Sequence, residues 1–281
     1  MEGAGAAGHA LEGFPLHDAK LRAALALVPE CGDAIGLVLG GSFAEGTADV
    51  FSDVDLKVVV EADRVPAAAA WRDRRLVDGC GRAVARFTGE HVGIPGLLIV
   101  LYDDLVHVDF QVMSLEEAAL LAGLPHVVLW ARGEALANAL AGAPVRAAAA
   151  DVGWFEDRMW TWIWYTQTKI LRGELYEAAD AINYMRTRVL FSLLAGSRGA
   201  RPAGARRIEG LLGDLEGPFA GTLASLERAE SMAALQRVAD LYTRLADPLL
   251  EAAGIPPAAG ARRVVGAALR RGLAWRPEAG G

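Results

Sequence analysis

Gly40-Gly41-Ser42 and Asp53-x-Asp55, with ten residues between Ser42 and Asp53, are the stretch of this chain whose residue types and spacing can do chemistry. Two successive glycines let a backbone turn sharply and bring its N–H groups close to an anion. Ser42 adds a hydroxyl at the start of an expected short helix, Ser42 to Glu45, where the helix dipole favours phosphate. Asp53 and Asp55 stand one strand step apart on one face and can together hold a hard divalent cation such as Mg²⁺. A third carboxylate from a neighbouring strand would complete such a site. Asp109, in His107-Val-Asp-Phe-Gln111, meets that need, with Val108 and Phe110 on the opposite face. Asp103 and Asp104 compete with it, but they fall at an expected hairpin tip, where Asp is common for turn reasons alone.

The elements that position these residues are legible from apolar spacing. Leu16 to Leu27 reads as a helix, broken at Pro29 to Gly32, and Ile35 to Leu39 as a buried strand ending at the glycines. In the next strand, Asp53 to Glu61, Val54, Leu56, Val58 and Val60 alternate with Asp53, Asp55, Lys57 and Val59. Period two therefore sets the acids and Lys57 on one face and the aliphatic residues on the other. Pro66 to Asp78 reads as a crossover helix and Arg82 to Thr88 as a third strand. Leu97 to Tyr102 and Val106 to Val112 form a hairpin around Asp103-Asp104-Leu105. Ser114 and Glu117 have capping-box spacing for a helix through Leu121, and Val127 to Trp130 is a last short strand. Beyond residue 150 the apolar period lengthens to that of helices: Trp154 to Leu171, Leu175 to Ala195, Ile208 to Leu212 and Leu223 to Ala252. Gly173 and Gly196 are expected as C-caps, Ser197 to Ala205 as a loop, and the tail from Arg276 as frayed.

The arrangement Gly41-Ser42, Asp53, Asp55 and Asp109 resembles the nucleotidyltransferase superfamily that includes DNA polymerase β and the aminoglycoside nucleotidyltransferases. The resemblance covers about 75 residues, from the first strand through Asp109. It implies that Gly41 and Ser42 bind a nucleoside triphosphate, and that Asp53, Asp55 and Asp109 hold two Mg²⁺ ions that align the α-phosphate with an acceptor hydroxyl. One departure stands out: the family's acid on the strand before the hairpin is missing, since Arg82 to Phe87 holds no Asp or Glu. Glu90, in Glu90-His91, is the nearest candidate for a general base, while lone His91 and His107 read as surface histidines. Lys57 shares the face of the two aspartates, where it would counter their charge or touch phosphate.

The segment Trp160 to Ala178, followed by Tyr184 to Leu190, is similar to the C-terminal bundle of small-molecule adenylyltransferases of the streptomycin type. That likeness implies that Lys169 reaches the triphosphate across a cleft. Helical spacing places Arg158, Trp162, Tyr165 and Lys169 on one stripe. The alternative is that Trp160, Trp162 and Trp164 are interdomain core and Lys169 a solvated helix-end cation. Glu174, Glu177 and Asp180 would attract a polycationic acceptor, or form a solvated helix start.

The expected fold class is α+β: an N-terminal nucleotidyltransferase-type mixed β-sheet with flanking helices, then a C-terminal α-helical bundle. The corresponding domains are 1–150, catalytic, and 151–281, a helical domain serving the acceptor and nucleotide cleft. With 28 Lys and Arg against 35 Asp and Glu, the net charge is −7, which speaks against gripping a nucleic-acid backbone. The basic loop with Arg198, Arg201, Arg206 and Arg207 reads as a connector. No apolar run reaches the roughly 20 residues of a membrane span, and Met1 to Ala10 has no signal-peptide pattern. Cys31 and Cys80 are far apart without CxxC spacing, as for reduced thiols in a cytoplasm. The leading expectation is transfer of AMP from ATP to a hydroxyl of a small, cationic acceptor such as an aminoglycoside. The alternatives are a protein or RNA acceptor, as in antitoxin-like members, and a non-catalytic nucleotide sensor.

Overall fold

The computed structural model describes residues 11–142 and 151–276. The expected domain boundary at 150 and the tail beyond Arg276 therefore lie outside the described residues. The chain divides into two compact units, Met1–Arg146 and Ala147–Gly281.

The first unit is built on a six-stranded mixed sheet. Its strands are β1 (Gly36–Leu39), β2 (Val54–Val60), β3 (Ala83–Gly89), β4 (Ile94–Tyr102), β5 (His107–Ser114) and β6 (Val127–Ala131). The spatial order is β3-β4-β5-β2-β1-β6, and β2 with β5 is the parallel pair. Alternation along β2 and β5 decides what each face carries. Val54, Leu56, Val58 and Val60, with Val108, Phe110 and Val112, enter the larger core, beneath helix α1 (Pro15–Leu27) and helix α3 (Val65–Trp71). The other face is apolar only toward the strand ends, where Val59 and Met113 join Val38, Ala118 and Leu136 in a smaller core. Toward the strand starts that face carries Asp55 and Lys57 beside Asp109 and Gln111, a half-buried polar row.

Three local features follow their sequence signals closely. Ser114 Oγ accepts from the Glu117 N–H at 3.1 Å and the Glu117 carboxylate accepts from the Ser114 N–H at 2.8 Å, closing the capping box of helix α4 (Leu115–Ala118). Tyr102 and Val106 close the β4–β5 hairpin through a 3.0 Å backbone bond. The crossover helix differs from an ideal one. After Trp71 it widens into a π turn, Arg72–Leu76, before a last turn Val77–Gly79. The turn coincides with an inward-facing Arg72, which donates to the Gly96 carbonyl at 2.7 Å and the Phe110 carbonyl at 3.1 Å. Helix α2 (Gly41–Glu45) follows β1, and helix α5 (Ala135–Leu140) covers the smaller core.

The second unit is all-helical. Helix α6 (Val152–Arg172) starts at Asp151, whose carboxylate accepts from the Trp154 N–H at 2.9 Å, and ends at Gly173 with φ +83°. Helix α7 (Leu175–Tyr184) runs through a π turn into helix α8 (Phe191–Ser197). Gly196 is not the expected cap. It stays inside α8, and Gly199 takes the left-handed position (φ +66°), where the Ala200 N–H reaches the Ala195 carbonyl at 2.8 Å. Two short helices, α9 (Glu209–Leu212) and α10 (Glu216–Ala220), lead to α11 (Arg228–Ala253) and α12 (Ala259–Arg271). The apolar stripes of α6, α7, α8 and α11 close one core around Met159, Ile163, Ile182, Leu194, Leu235 and Tyr242.

Candidate functional site

The end of β1 and the start of β2 meet tightly. Gly40 N–H donates to the Asp55 carbonyl at 2.9 Å. Gly41 has φ +59°, and a Cβ built there would lie 1.8 Å from Asp55 Oδ2. A Cβ at Gly40 would lie 2.5 Å from Lys57 Nζ. At Gly41 both the Asp55 side chain and the positive φ call for glycine, whereas at Gly40 a Cβ would displace only the end of the Lys57 side chain. Ser42, the next residue, is 2% exposed, and its Oγ has no hydrogen-bond partner. A buried hydroxyl with nothing to bond is costly, and it lies beside a carboxylate and a glycine turn. Phe43 anchors the turn from behind by edge packing on Phe14 and contact with His17. His17 Nε2 in turn lies 3.0 Å from the Ser52 carbonyl, which fixes the approach to Asp53.

Asp55 and Asp109 are direct register partners across the parallel β2–β5 pair. Asp53 stands immediately before β2, one strand step from Asp55. His107, on the same face of β5, has its Nε2 at 2.9 Å from Asp109 Oδ1, a charge contact whose angles fall short of a hydrogen bond. The Asp109 contact, with the charges of Asp53 and Asp55, raises the imidazole pKa against the opposing effect of burial. The site therefore gathers Gly41, Ser42, Asp55, Lys57, His107 and Asp109, with Asp53 at its edge. His107, a surface histidine by sequence alone, joins Asp109 because the two stand two residues apart on one strand face.

The donor set is hard oxygen, which suits Mg²⁺. The buried, unpaired Ser42 hydroxyl is a donor that suits an anionic oxygen. Among the described residues no three His, Cys, Asp or Glu side chains are gathered into a closed metal site.

Other candidates are placed elsewhere. Asp104 pairs with Lys20 at 2.7 Å and accepts from the Val106 N–H at 3.2 Å, so it belongs to the hairpin turn. The strand neighbour of Asp109 on β4 is Ile99, and beyond it on β3 is Phe87. Glu90 follows the end of β3, three residues past Phe87 and so roughly 10 Å along the strand direction from that row. It is exposed, and hydrogen bonding, led by Thr88, keeps its carboxyl below the usual range.

In the helical unit Lys169 Nζ lies 2.6 Å from Glu174 and 2.9 Å from Glu177, over the Tyr165 ring at 5.0 Å. Tyr165 also donates to Glu177. The two carboxylates raise the Lys169 pKa, and Lys169 stands as a paired cation instead of the solvated one of the alternative reading. Trp160 packs on Tyr242, Trp162 on Tyr184 and Trp164 on Trp275, all within this unit.

No described helix is long and apolar enough to cross a membrane. No protein of curated function matches the chain in sequence. Among solved structures, it is similar to an aminoglycoside 6-adenyltransferase from Bacillus subtilis, at 12% identity and TM-score 0.40, over 87% of this chain and 94% of that one. It is also similar to a nucleotidyltransferase-like protein from Exiguobacterium sibiricum 255-15, at 14% identity and TM-score 0.37, over 79% of this chain and 74% of that one. Residues 24–118 match the nucleotidyltransferase domain family. That span runs from the end of α1 through the capping box, so every glycine, serine and aspartate of the site lies within the stretch that matches the nucleotidyltransferase domain family.

Proposed function

We propose that this chain transfers a nucleoside monophosphate, AMP from ATP, to a hydroxyl of a small cationic molecule of the aminoglycoside class. The observation that carries the reading is the juxtaposition of two aspartates in direct register with a glycine turn that leaves no room for a side chain. In this reading the Gly41 turn and the Ser42 hydroxyl receive the triphosphate, and Lys57 balances charge on the same face. Asp53, Asp55 and Asp109 would hold Mg²⁺, which when bound neutralises the pyrophosphate leaving group and orients the α-phosphate. The acceptor oxygen bonds to the α-phosphorus, the bond to the β-phosphate bridging oxygen breaks, and the hydroxyl proton is released.

The acceptor class rests on the net charge of −7, which favours a cationic partner, and on the likeness of the Trp160 to Ala178 segment to small-molecule adenylyltransferases. Lys169, as a ligand of the triphosphate, would have to exchange Glu174 and Glu177 for phosphate oxygens. The test is Mg²⁺-dependent pyrophosphate release from ATP across a panel of aminoglycosides, with Asp55→Asn as blank. Release stimulated by one acceptor and lost in the blank is expected. Saturable ATP binding without release under any acceptor would overturn the reading.

A further inference from the structure

A cavity of about 430 Å³ lies wholly within the helical unit between α6, α11 and α12. Trp160 contributes to its wall, is 6% exposed, and its indole N–H has no hydrogen-bond partner. Arg262, which also lines it, is paired with carboxylates: it donates to both Glu156 oxygens at 2.8 and 3.0 Å and to Asp247 at 2.6 Å. Two other charges on the wall are not committed. Asp240 and Arg270 line the same cavity, and among the described residues neither makes an ion pair or hydrogen bond. The arginines one turn either side of Asp240 are occupied elsewhere: Arg237 at the Gly221 carbonyl and Arg244 at Asp214.

The remaining polar groups sort by chemistry. Gln236 spends its amide N–H on the Leu269 carbonyl at 3.1 Å, leaving its carbonyl oxygen as an acceptor. Thr243 spends its proton on the Ala239 carbonyl at 3.0 Å, leaving its lone pairs. Gln236, Asp240 and Thr243 follow one another at spacings of four and three on α11, so they share a face. Beside the second Gln236 N–H, that face offers three acceptor groups, the number of N–H groups on a primary ammonium. The walls from α6 and α12 add the Trp160 N–H and the Arg270 guanidinium, both donors, which suit a carboxylate.

We infer that this cavity binds a free α-amino acid, its carboxylate on Trp160 and Arg270 and its ammonium on Asp240, Gln236 and Thr243. The volume leaves room for a side chain beyond the two charged groups. The inference is independent of the transfer reaction proposed above, because every group it uses belongs to the helical unit.

The experiment is a titration of the full chain, labelled with ¹⁵N at the indole nitrogens, with each common amino acid. The Trp160 signal is identified by its absence in Trp160→Phe. The expected result is a saturable shift of that signal by one or a few amino acids, with affinity reduced about tenfold in Asp240→Asn and Arg270→Gln. Asp240 and Arg270 are exposed, so those two variants are expected to melt as the parent does, which keeps the test readable if Trp160→Phe is destabilised. The inference fails if no amino acid at about 10 mM moves the signal. It fails equally if acetate alone moves it as far, which would make the cavity an anion site, or if Asp240→Asn leaves the affinity unchanged.

Discussion

Ser42 separates a functional from a structural role by the sign of its effect on stability. Its hydroxyl is buried without a partner, and leaving such a group unpaired costs about 1–3 kcal/mol in the folded state. Ser42→Ala is therefore expected to melt at or above the parent temperature while its affinity for ATP falls about tenfold, a loss of ~1.4 kcal/mol. Calorimetric melting with nucleotide titration checks both; a destabilised variant with unchanged affinity would make the serine structural. Gly41 allows a matched comparison. Gly41 and Gly46 both have positive φ, +59° and +70°, so alanine at either position pays a similar backbone strain of about 1–2 kcal/mol. Only at Gly41 does the added Cβ meet Asp55, whereas nothing lies within 4 Å at Gly46. Gly41→Ala is expected to lose about 100-fold in kcat through displacement of the carboxylate, and Gly46→Ala to stay within a few-fold. Equal activities in the two variants would remove Gly41 from the site.

At the scale of elements, Glu156 ties three helices of the second unit together. It is 3% exposed and accepts from the Tyr242 hydroxyl at 2.6 Å, from the Ala258 N–H at 2.8 Å and from Arg262. Burial pushes its carboxyl pKa up, but Arg262, Tyr242 and the Ala258 N–H outweigh burial and hold it below the usual value. A depressed carboxylate contributes stability that is fully present above the unfolded value, about 4.3, and is lost as pH falls through the folded one. Glu156→Gln is expected to cost about 3–5 kcal/mol near neutrality, since it leaves Arg262 short of its buried partner. The gap in melting temperature between parent and variant should narrow below about pH 4. A gap that stays constant from pH 7 to pH 3 would show that Glu156 charge is not the source.

The same residues show where sequence reading stops. Alternation made β2 and β5 legible because one face of each is wholly apolar, and Gly41, Ser42, Asp53 and Asp55 fell within one local stretch. The register that sets Asp55 beside Asp109, and Lys57 above Gly40, follows from strand order, which alternation does not encode. Glu156 and Arg262 lie 106 positions apart and leave no local signal. Helix α12 escaped notice because its apolar residues, Val264 to Leu269, sit between arginine pairs and most of the helix stays exposed. The π turns likewise have no periodic mark, since each carries the helical pattern on with one residue added per turn.

The molecule as a whole keeps its two thiols inside. Cys31 and Cys80 are both buried in the first unit, and burial pushes the Cys80 thiol up to about 12. At pH 8 only about one molecule in ten thousand would carry a Cys80 thiolate, so thiol reagents should modify Cys80 only as fast as the first unit opens. Counting modified thiols by mass spectrometry over time, with and without denaturant, checks this; rapid native labelling at Cys80 would contradict it. The cores of the two units also draw on separate residues. That of the helical unit uses positions between 152 and 269, and those of the sheet unit positions between 11 and 136. Burial of apolar area is the dominant favourable term in folding, and the helical unit closes its core with residues of its own. A chain of residues 151–276 is therefore expected to fold alone, with a single sigmoidal urea transition seen identically by far-ultraviolet circular dichroism and tryptophan fluorescence. Trp160, Trp162 and Trp164 all pack against partners inside that span, so their emission should be native-like in the isolated unit. Non-coincident transitions with dye-binding apolar surface would mean that this core is completed only in the full chain.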